Sequence, residues 1–103
     1  DVRIDWHQDV DQIYNMIRGA NPQPGAWTTF AGKRLTVLDS SKSDNTDGDP
    51  GAVIAADASG ITVAANGGSI CISRFKPQGG SKLSAAEMME QSPLNPGDVL
   101  GVD

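Results

Sequence analysis

The sequence is poor in residues that stabilise a fold through disulfide bonds or bound metal ions. It has 103 residues and one cysteine, Cys71, which can form neither an intramolecular disulfide nor a multi-cysteine metal site. A lone cysteine indicates a reducing compartment. The sequence also has no secretory signal pattern and no apolar run of roughly 18 residues. We therefore expect a cytoplasmic protein that makes no membrane contact.

Aromatic residues and positive charges are scarce as well. With two Trp, two Phe and one Tyr, the core of a single domain must rest on small aliphatic side chains. Eight Lys and Arg against 13 Asp and Glu give a net charge of −5, which excludes a generic polybasic binder of nucleic acid or membranes. A local basic surface remains compatible with this charge. The first residue, Asp1, is not methionine, so we expect that the chain was cut from a longer protein.

Common catalytic and nucleotide-binding motifs are missing too, including G-x-G-x-x-G, the Walker loop, H-E-x-x-H and G-x-S-x-G. His7 is the one histidine, and spacing assigns it neither a nucleophile nor an orienting acid, which favours a helix surface position. Aspartates in residues 39–51 suggest calcium, but the glutamate position of an EF-hand loop falls on Ala55 or Ala58. We therefore expect no catalytic set and no metal site, and we expect Cys71 to act as a small core residue.

An amphipathic helix is predicted near the start of the chain. Asp5 and Gln8 have capping-box spacing, which places the N-cap of the helix at Asp5. Apolar residues then follow at helical spacing, namely Val10, Ile13, Tyr14 and Ile17. Gly19 is the expected left-handed stop. The prolines that follow predict a rigid connector over residues 20–25.

Short apolar segments separated by turn residues predict strands over much of the remaining chain. The predicted strands cover residues 27–30, 33–38, 52–56, 61–65, 69–75 and 98–102. Ala31-Gly32 and Asn66-Gly67-Gly68 are predicted hairpin turns between neighbouring strands.

Two further segments complete the predicted order. Residues 39–51 contain no large apolar side chain and predict a long mobile loop. Ser84 and Glu87 form a second capping box, which opens a short helix that ends near Gln91. One early helix, short strands and one late helix favour a mainly β (α+β) fold with one small closed barrel.

Basic residues are unevenly distributed. Residues 58–86 contain no acid, and more basic residues lie on the first predicted hairpin. The candidates for a shared basic face are Lys33, Arg34, Arg74, Lys76 and Lys82. Such a face can bind RNA through its phosphates. The alternative is that the five are ordinary solubilising charges, and the residues alone leave both interpretations open.

Seven segments, in order along nearly the whole chain, form a recognisable pattern. They are IDW (4–6), IYNMIRGANPQPGAWT (13–28), GKRLTV (32–37), PGAVIAA (50–56), GITVAANGGSICI (60–72), FKPQGGSKLSAAEMM (75–89) and PGDVLG (96–101). The IRGxNPxPGAW stretch is the most specific part. Together the segments resemble the C-terminal domain of the folate-dependent formyltransferase family, which includes the methionyl-tRNA formyltransferases.

The resemblance implies a division of the chain and a fold. Residues 1–25 would be a linker with an amphipathic helix, and residues 26–103 a small open β-barrel resembling an OB fold. The residues implied to have structural or interdomain roles are Trp6, Arg18, Asn21, Pro22, Pro24, Gly25 and Trp27.

The resemblance also implies a function. No catalytic residue carries over to this chain, and its main partner would be a missing N-terminal catalytic domain. That domain would use 10-formyltetrahydrofolate, and no cofactor is expected in this one. The five basic residues would help to bind initiator methionyl-tRNA, and Lys76 adds a charge where the family often has glutamine.

One alternative follows from the same resemblance. The chain could serve a formyltetrahydrofolate dehydrogenase or a sugar-nucleotide formyltransferase as a structural or interdomain module without RNA contact. The net charge of −5 favours this alternative, because it opposes the approach of RNA at low salt.

Overall fold

The computed structural model describes residues 2–21 and 24–102. Within them the chain forms, in order, β1 (Val2–Arg3), α1 (Val10–Ala20), β2 (Ala26–Phe30), β3 (Lys33–Ser43), β4 (Val53–Asp57), β5 (Gly60–Ala65), β6 (Gly68–Pro77), β7 (Leu83–Ser84) and α2 (Ala85–Gln91). The predicted early helix, the late helix and most strands are therefore confirmed.

All seven strands join one mixed sheet. The strand order is β1-β2-β3-β6-β5-β4, and β7 pairs with β6 beside this path. β1 runs parallel to β2, whereas the other neighbours are antiparallel. Within the described residues the terminal strands β1 and β4 do not pair, so the sheet is open. The mainly β class is confirmed, the closed barrel is wrong, and the resemblance to an OB fold stays a prediction.

A segment without strand structure connects the two ends of this open sheet. The prediction of a last strand over residues 98–102 is wrong, because these residues bond to two different elements. The Leu100 N–H donates to the carbonyl of Gly51 at 2.8 Å, whereas the Gly101 N–H donates to the carbonyl of Thr29 at 2.9 Å. This segment therefore bridges the open sheet through separate backbone bonds to Gly51 and Thr29.

Helix α1 begins four residues later than predicted. Asp9 is its N-cap, and the Asp9 carboxylate accepts from the Asp11 N–H at 2.9 Å. The Asp5 carboxylate instead accepts from the His7 N–H at 3.0 Å, two residues on. Trp6, with 3% of its surface exposed, lies in the core. Because residues 5–8 form the turn that places this indole, the capping box predicted at Asp5 is wrong.

The end of α1 also differs from the prediction. Gly19 lies inside the helix, which continues to the buried Ala20, so the predicted stop at Gly19 is wrong. Asn21 is the C-cap in extended conformation, with φ −88° and ψ 136°. A residue that precedes proline disfavours helical conformation, and Asn21 precedes Pro22 in the sequence. Pro22, one of the residues implied by the family resemblance, lies outside the described residues.

The core lies between α1 and one face of the sheet, and it is mainly aliphatic, as the composition predicts. α1 contributes Val10, Ile13, Ile17 and Ala20 to it. Large side chains with less than 2% exposure are Phe75, Ile13, Ile17, Ile61, Ile70, Ile72, Leu94, Val37 and Val63. The helix that the sequence assigns to a linker therefore shares one core with the sheet.

Strand β3 extends into the segment that was expected to be a loop. Residues 40–43 pair with β6 in register from Ser40 opposite Ile72 to Ser43 opposite Ser69. The expectation is therefore wrong for residues 39–43, because ladder pairing uses the backbone and needs no apolar side chain.

A β-bulge bends β3 in the middle of its pairing with β6. Val37 lies opposite Phe75 and Asp39 lies opposite Arg74, which leaves Leu38 as the extra residue. The side-chain amide of Asn21 donates to the Leu38 carbonyl at 3.2 Å. Asn21 thus ties the end of α1 to the point where the sheet bends.

Local capping holds the late helix as predicted. The Ser84 hydroxyl accepts from the Glu87 N–H at 3.1 Å, and Glu87 Oε1 accepts from the Ser84 N–H at 2.9 Å. The bond from the Ser84 N–H lowers the pKa of Glu87 below its ordinary value. The stabilisation that the ionised Glu87 gives to this cap is therefore present at neutral pH, and it is lost as the pH falls through the lowered pKa.

The hairpin turn between β2 and β3 contains a strained residue, which gives a first prediction. Ala31 has φ 52° and is the one non-glycine among the described residues with positive φ. We expect Ala31→Gly to raise the free energy of unfolding by about 1 kcal/mol in urea denaturation, because glycine adopts this conformation without strain. Ala58→Gly, in another exposed turn without positive φ, should lower it by about 0.5 kcal/mol. Equal effects at both sites would contradict this explanation.

A buried hydrogen bond gives a second prediction. The Trp6 indole N–H donates to the Thr28 hydroxyl oxygen at 3.0 Å, and both side chains are almost fully buried. We expect Trp6→Phe and Thr28→Val each to lower the free energy of unfolding by about 2 kcal/mol, because each leaves one buried polar group unpaired. The double variant should cost about 1 kcal/mol less than the sum of the two. If the two losses of unfolding free energy are strictly additive in urea denaturation, Trp6 and Thr28 are not coupled.

Candidate nucleic-acid interface

The alternation of β3 decides which predicted basic residues share a face. Leu35 and Val37 are buried and point into the core. Arg34 and Thr36 alternate with them and lie on the other side of the sheet, which we call the outer face. Lys33 has the same parity as Leu35 and is exposed at the hairpin end. The structure therefore does not bring Lys33 onto the outer face with the other candidates.

Two neighbouring strands extend the outer face with lysines. Lys76 on β6 lies directly opposite Thr36 on β3. On the other edge of β6, Phe75 lies opposite Leu83 of β7. Continuing this antiparallel register by one residue places Lys82 beside Lys76. Arg34, Lys76 and Lys82 thus cross the sheet, and we call these three residues the basic row.

Arg74 lies on the same face as Lys76, two residues earlier in β6, but its charge is partly compensated. Its Nη1 lies 3.3 Å from Oδ2 of Asp39, and both side chains are 49% exposed. An exposed pair of this kind contributes at most about 1 kcal/mol to stability. Its main consequence is electrostatic, because the carboxylate of Asp39 reduces the positive potential at this end of the face.

The lysines carry charge that the protein itself does not neutralise. Within residues 2–21 and 24–102, no carboxylate lies within ion-pair distance of Lys33, Lys76 or Lys82. Lys76 and Lys82 are exposed. The net charge of −5 is therefore not spread evenly over the surface.

Trp27 anchors the arginine of the basic row. The Arg34 guanidinium lies 3.7 Å from the centre of the Trp27 ring, a stacked cation–π contact. Arg3 approaches the same ring at 5.3 Å, because β1 pairs Arg3 with Trp27. The Trp27 indole N–H is buried and finds no acceptor within the described ranges. Sequence reasoning missed Arg3, since the parallel pairing of a two-residue strand leaves no readable periodicity.

Among the other residues implied by the resemblance, the structure describes five, and none of them belongs to the basic row: Trp6, Arg18, Asn21, Pro24 and Gly25. Trp6 is in the core, and Asn21 binds the bulge. Gly25 has φ 89°, and its N–H donates to the Ala20 carbonyl at 2.8 Å. A Cβ at Gly25 would lie 3.1 Å from the Thr36 side chain. Pro24 is exposed.

A second group of charges surrounds Tyr14. Arg18 and Lys42 each lie 5.4 Å from the centre of its ring. Lys42 Nζ also lies 2.9 Å from a carboxylate oxygen of Asp11, and this hydrogen bond raises the pKa of Lys42 above its ordinary value. Neither Arg18 nor Lys42 belongs to the basic row, so both serve as comparison cations.

The other sequence candidates form no reactive constellation. His7 is exposed, and its Nδ1 lies 3.6 Å from a carboxylate oxygen of Asp5. Cys71 is a half-buried free thiol on β6. No three His, Cys, Asp or Glu side chains in the part of the chain that the structure describes form a metal-binding group. Neither helix is both long enough and apolar enough to span a membrane, within the residues described.

Comparison with protein families and curated proteins gives one consistent result. The family model "Formyl transferase, C-terminal domain" matches residues 1–93. The methionyl-tRNA formyltransferase of Bacillus velezensis is 39% identical over 101 residues, which are 96% of this chain and 32% of that protein. The methionyl-tRNA formyltransferase of Thiobacillus denitrificans is 33% identical over 103 residues, which are 98% of this chain and 33% of that protein.

Solved structures show a similar fold at lower identity. HypX from Aquifex aeolicus in complex with tetrahydrofolic acid has a TM-score of 0.74 and 20% identity, over 98% of this chain and 20% of that one. A variant of the same protein has a TM-score of 0.74 and 23% identity, over 86% of this chain and 17% of that one. The chain spans about a third of the length of the curated relatives that it matches. From the family model and these relatives, the chain belongs to the formyl transferase C-terminal domain family.

Proposed function

We propose that this chain is the non-catalytic C-terminal domain of a cytoplasmic methionyl-tRNA formyltransferase, and that it helps to bind and position the acceptor tRNA. The observation that carries the proposal is the basic row. Arg34 lies on β3, Lys76 lies on β6 opposite Thr36, and Lys82 directly precedes β7, and the two lysines have no carboxylate partner among the described residues. Cations grouped on one surface can neutralise the phosphates of a nucleic-acid backbone.

Stacking makes the arginine of the row a suitable phosphate ligand. Arg34 is held against the Trp27 ring at 3.7 Å, so less side-chain freedom is lost when it binds. A guanidinium fixed in its plane donates two parallel hydrogen bonds to one phosphate. Lys76 and Lys82 act as point charges beside it, and Arg74 contributes less because of Asp39.

The folate cofactor is assigned to the remainder of the parent enzyme. The buried polar side-chain atoms without a partner among the described residues are Trp27 Nε1 and Ser69 Oγ, and neither residue lines a cavity. The residues present therefore do not fit a folate. We propose that 10-formyltetrahydrofolate binds to an N-terminal catalytic domain, which would also be the main protein partner of this chain.

The alternative function is a structural or interdomain module without RNA contact. The ion pair of Arg74 with Asp39 and the net charge of −5 favour it, since both reduce attraction of a polyanion. It would suit a formyltetrahydrofolate dehydrogenase or a sugar-nucleotide formyltransferase. The two functions differ in one measurable property, the affinity of the chain for tRNA.

A salt titration tests the basic row. We expect initiator tRNA to bind the chain with a log–log salt slope of about −2.7, corresponding to three phosphate contacts. The binding constant should then fall about 40-fold between 50 mM and 200 mM salt. Fluorescence anisotropy of labelled tRNA measures both quantities. Absence of binding at 50 mM salt would leave the structural module as the function.

A matched pair of double variants controls for net charge. Lys76→Gln with Lys82→Gln should reduce the magnitude of the slope by about two, one for each lysine. Arg18→Gln with Lys42→Gln removes the same charge away from the basic row and should leave the slope close to that of the unmodified chain. If both double variants reduced the magnitude of the salt slope equally, only the overall charge of the chain would matter for binding.

A further inference from the structure

A small cavity lies where the basic row meets the hairpin end. Its volume is about 110 Å³, and it lies between the β2–β3 hairpin, the end of β6 and helix α2. Apolar side chains form most of its lining, namely Phe30, Leu35, Pro77 and Met88. Lys33, Arg34 and Ser92 line it as well. Sites that enclose a whole ligand have roughly 300–1,000 Å³, so this cavity suits one group of a larger molecule.

The lining combines three chemical features. Apolar and aromatic side chains offer contact for a flat ring, since Phe30 is partly exposed beside the sulfur-containing Met88. Lys33 and Arg34 place positive charge beside this apolar surface. Helix α2 ends here with Ser92 as its C-cap, and Ser92 carries a hydroxyl, which can donate to or accept from a polar group of a ligand.

We propose that this cavity binds one unstacked base of the RNA that crosses the basic row, with the adjoining phosphate beside Lys33. A nucleotide has a flat base that carries hydrogen-bond donors, and its phosphate places a negative charge one sugar away. These parts match the apolar surface, the positive charge and the hydrogen-bonding group of the cavity. Arg34 lines the cavity and also belongs to the basic row, so the cavity adjoins the row at this residue. This inference rests on the proposed tRNA contact. It also gives a role to Lys33, which does not lie on the outer face with the basic row.

Methionine methyl signals in NMR spectra test the cavity directly. The probe is an adenosine tetraribonucleotide, and its control is the same oligomer with abasic sites, which keeps the phosphates and lacks the bases. We expect the adenosine oligomer to shift the methyl signal of Met88 upfield by ring current, and the abasic oligomer to leave it in place. Met16 on α1 lies away from the cavity and should not move with either oligomer.

A variant that fills the cavity gives a second measurement. Ser92→Trp should abolish the Met88 shift and weaken tRNA binding about tenfold, which corresponds to one stacked base. The salt slope should stay unchanged, because no cation is removed. Should this variant not fold, which a displaced Met16 signal would reveal, Phe30→Leu removes the flat ring and should weaken binding in the same direction.

The outcomes separate the two proposals. If tRNA binds with the expected salt slope but Met88 does not respond to the adenosine oligomer, the base site is overturned and the proposed tRNA contact stands. If both oligomers shift Met88 equally, the cavity senses phosphate alone and the base site is likewise overturned. If tRNA does not bind at 50 mM salt, both proposals fail.

Discussion

The pairing of β3 with β6 is the interaction on which the other parts depend. These two long strands form the centre of the sheet, and β6 also pairs with β5 along one half and with β7 along the other. The bulge at Leu38 bends the pair, and one face of the sheet packs against α1 while the other presents charges. The same ladder fixes Lys76 opposite Thr36. A change of register by one residue would exchange the core residues with the basic row.

Much of the fold was predictable wherever a local pattern decides the structure. The capping box of Ser84 and Glu87 needs no distant partner, and the Ala31-Gly32 turn has the two positive φ values that its hairpin requires. Tertiary contacts decided the rest. The sequence pattern places the N-cap at Asp5, whereas the burial of Trp6 uses residues 5–8 as a turn and leaves Asp9 as the N-cap. The pairing of residues 40–43 could not be read from the serine-rich sequence, because its ladder is formed by backbone bonds and the segment has no large apolar side chain.

The candidate site shows the same division. The acid-free stretch of the sequence contains Lys76 and Lys82, and alternation along β3 could have separated Lys33 from Arg34. The pairing of Arg74 with Asp39 could not be foreseen, because a bulge sets the register between them. The contact of Arg3 with Trp27 depends on a parallel edge strand, for which the sequence has no periodic signal.

The bonds made by residues 97–101 have a consequence for biosynthesis. A chain grows from its N-terminus, so these residues leave the ribosome after both elements that they join. Until then, the carbonyls of Gly51 and Thr29 lack the donors that they have in the folded domain. Unfinished sheet edges recruit strands from other chains. A stop codon just before residue 97 would therefore produce a protein with nearly the whole core and an increased tendency to aggregate.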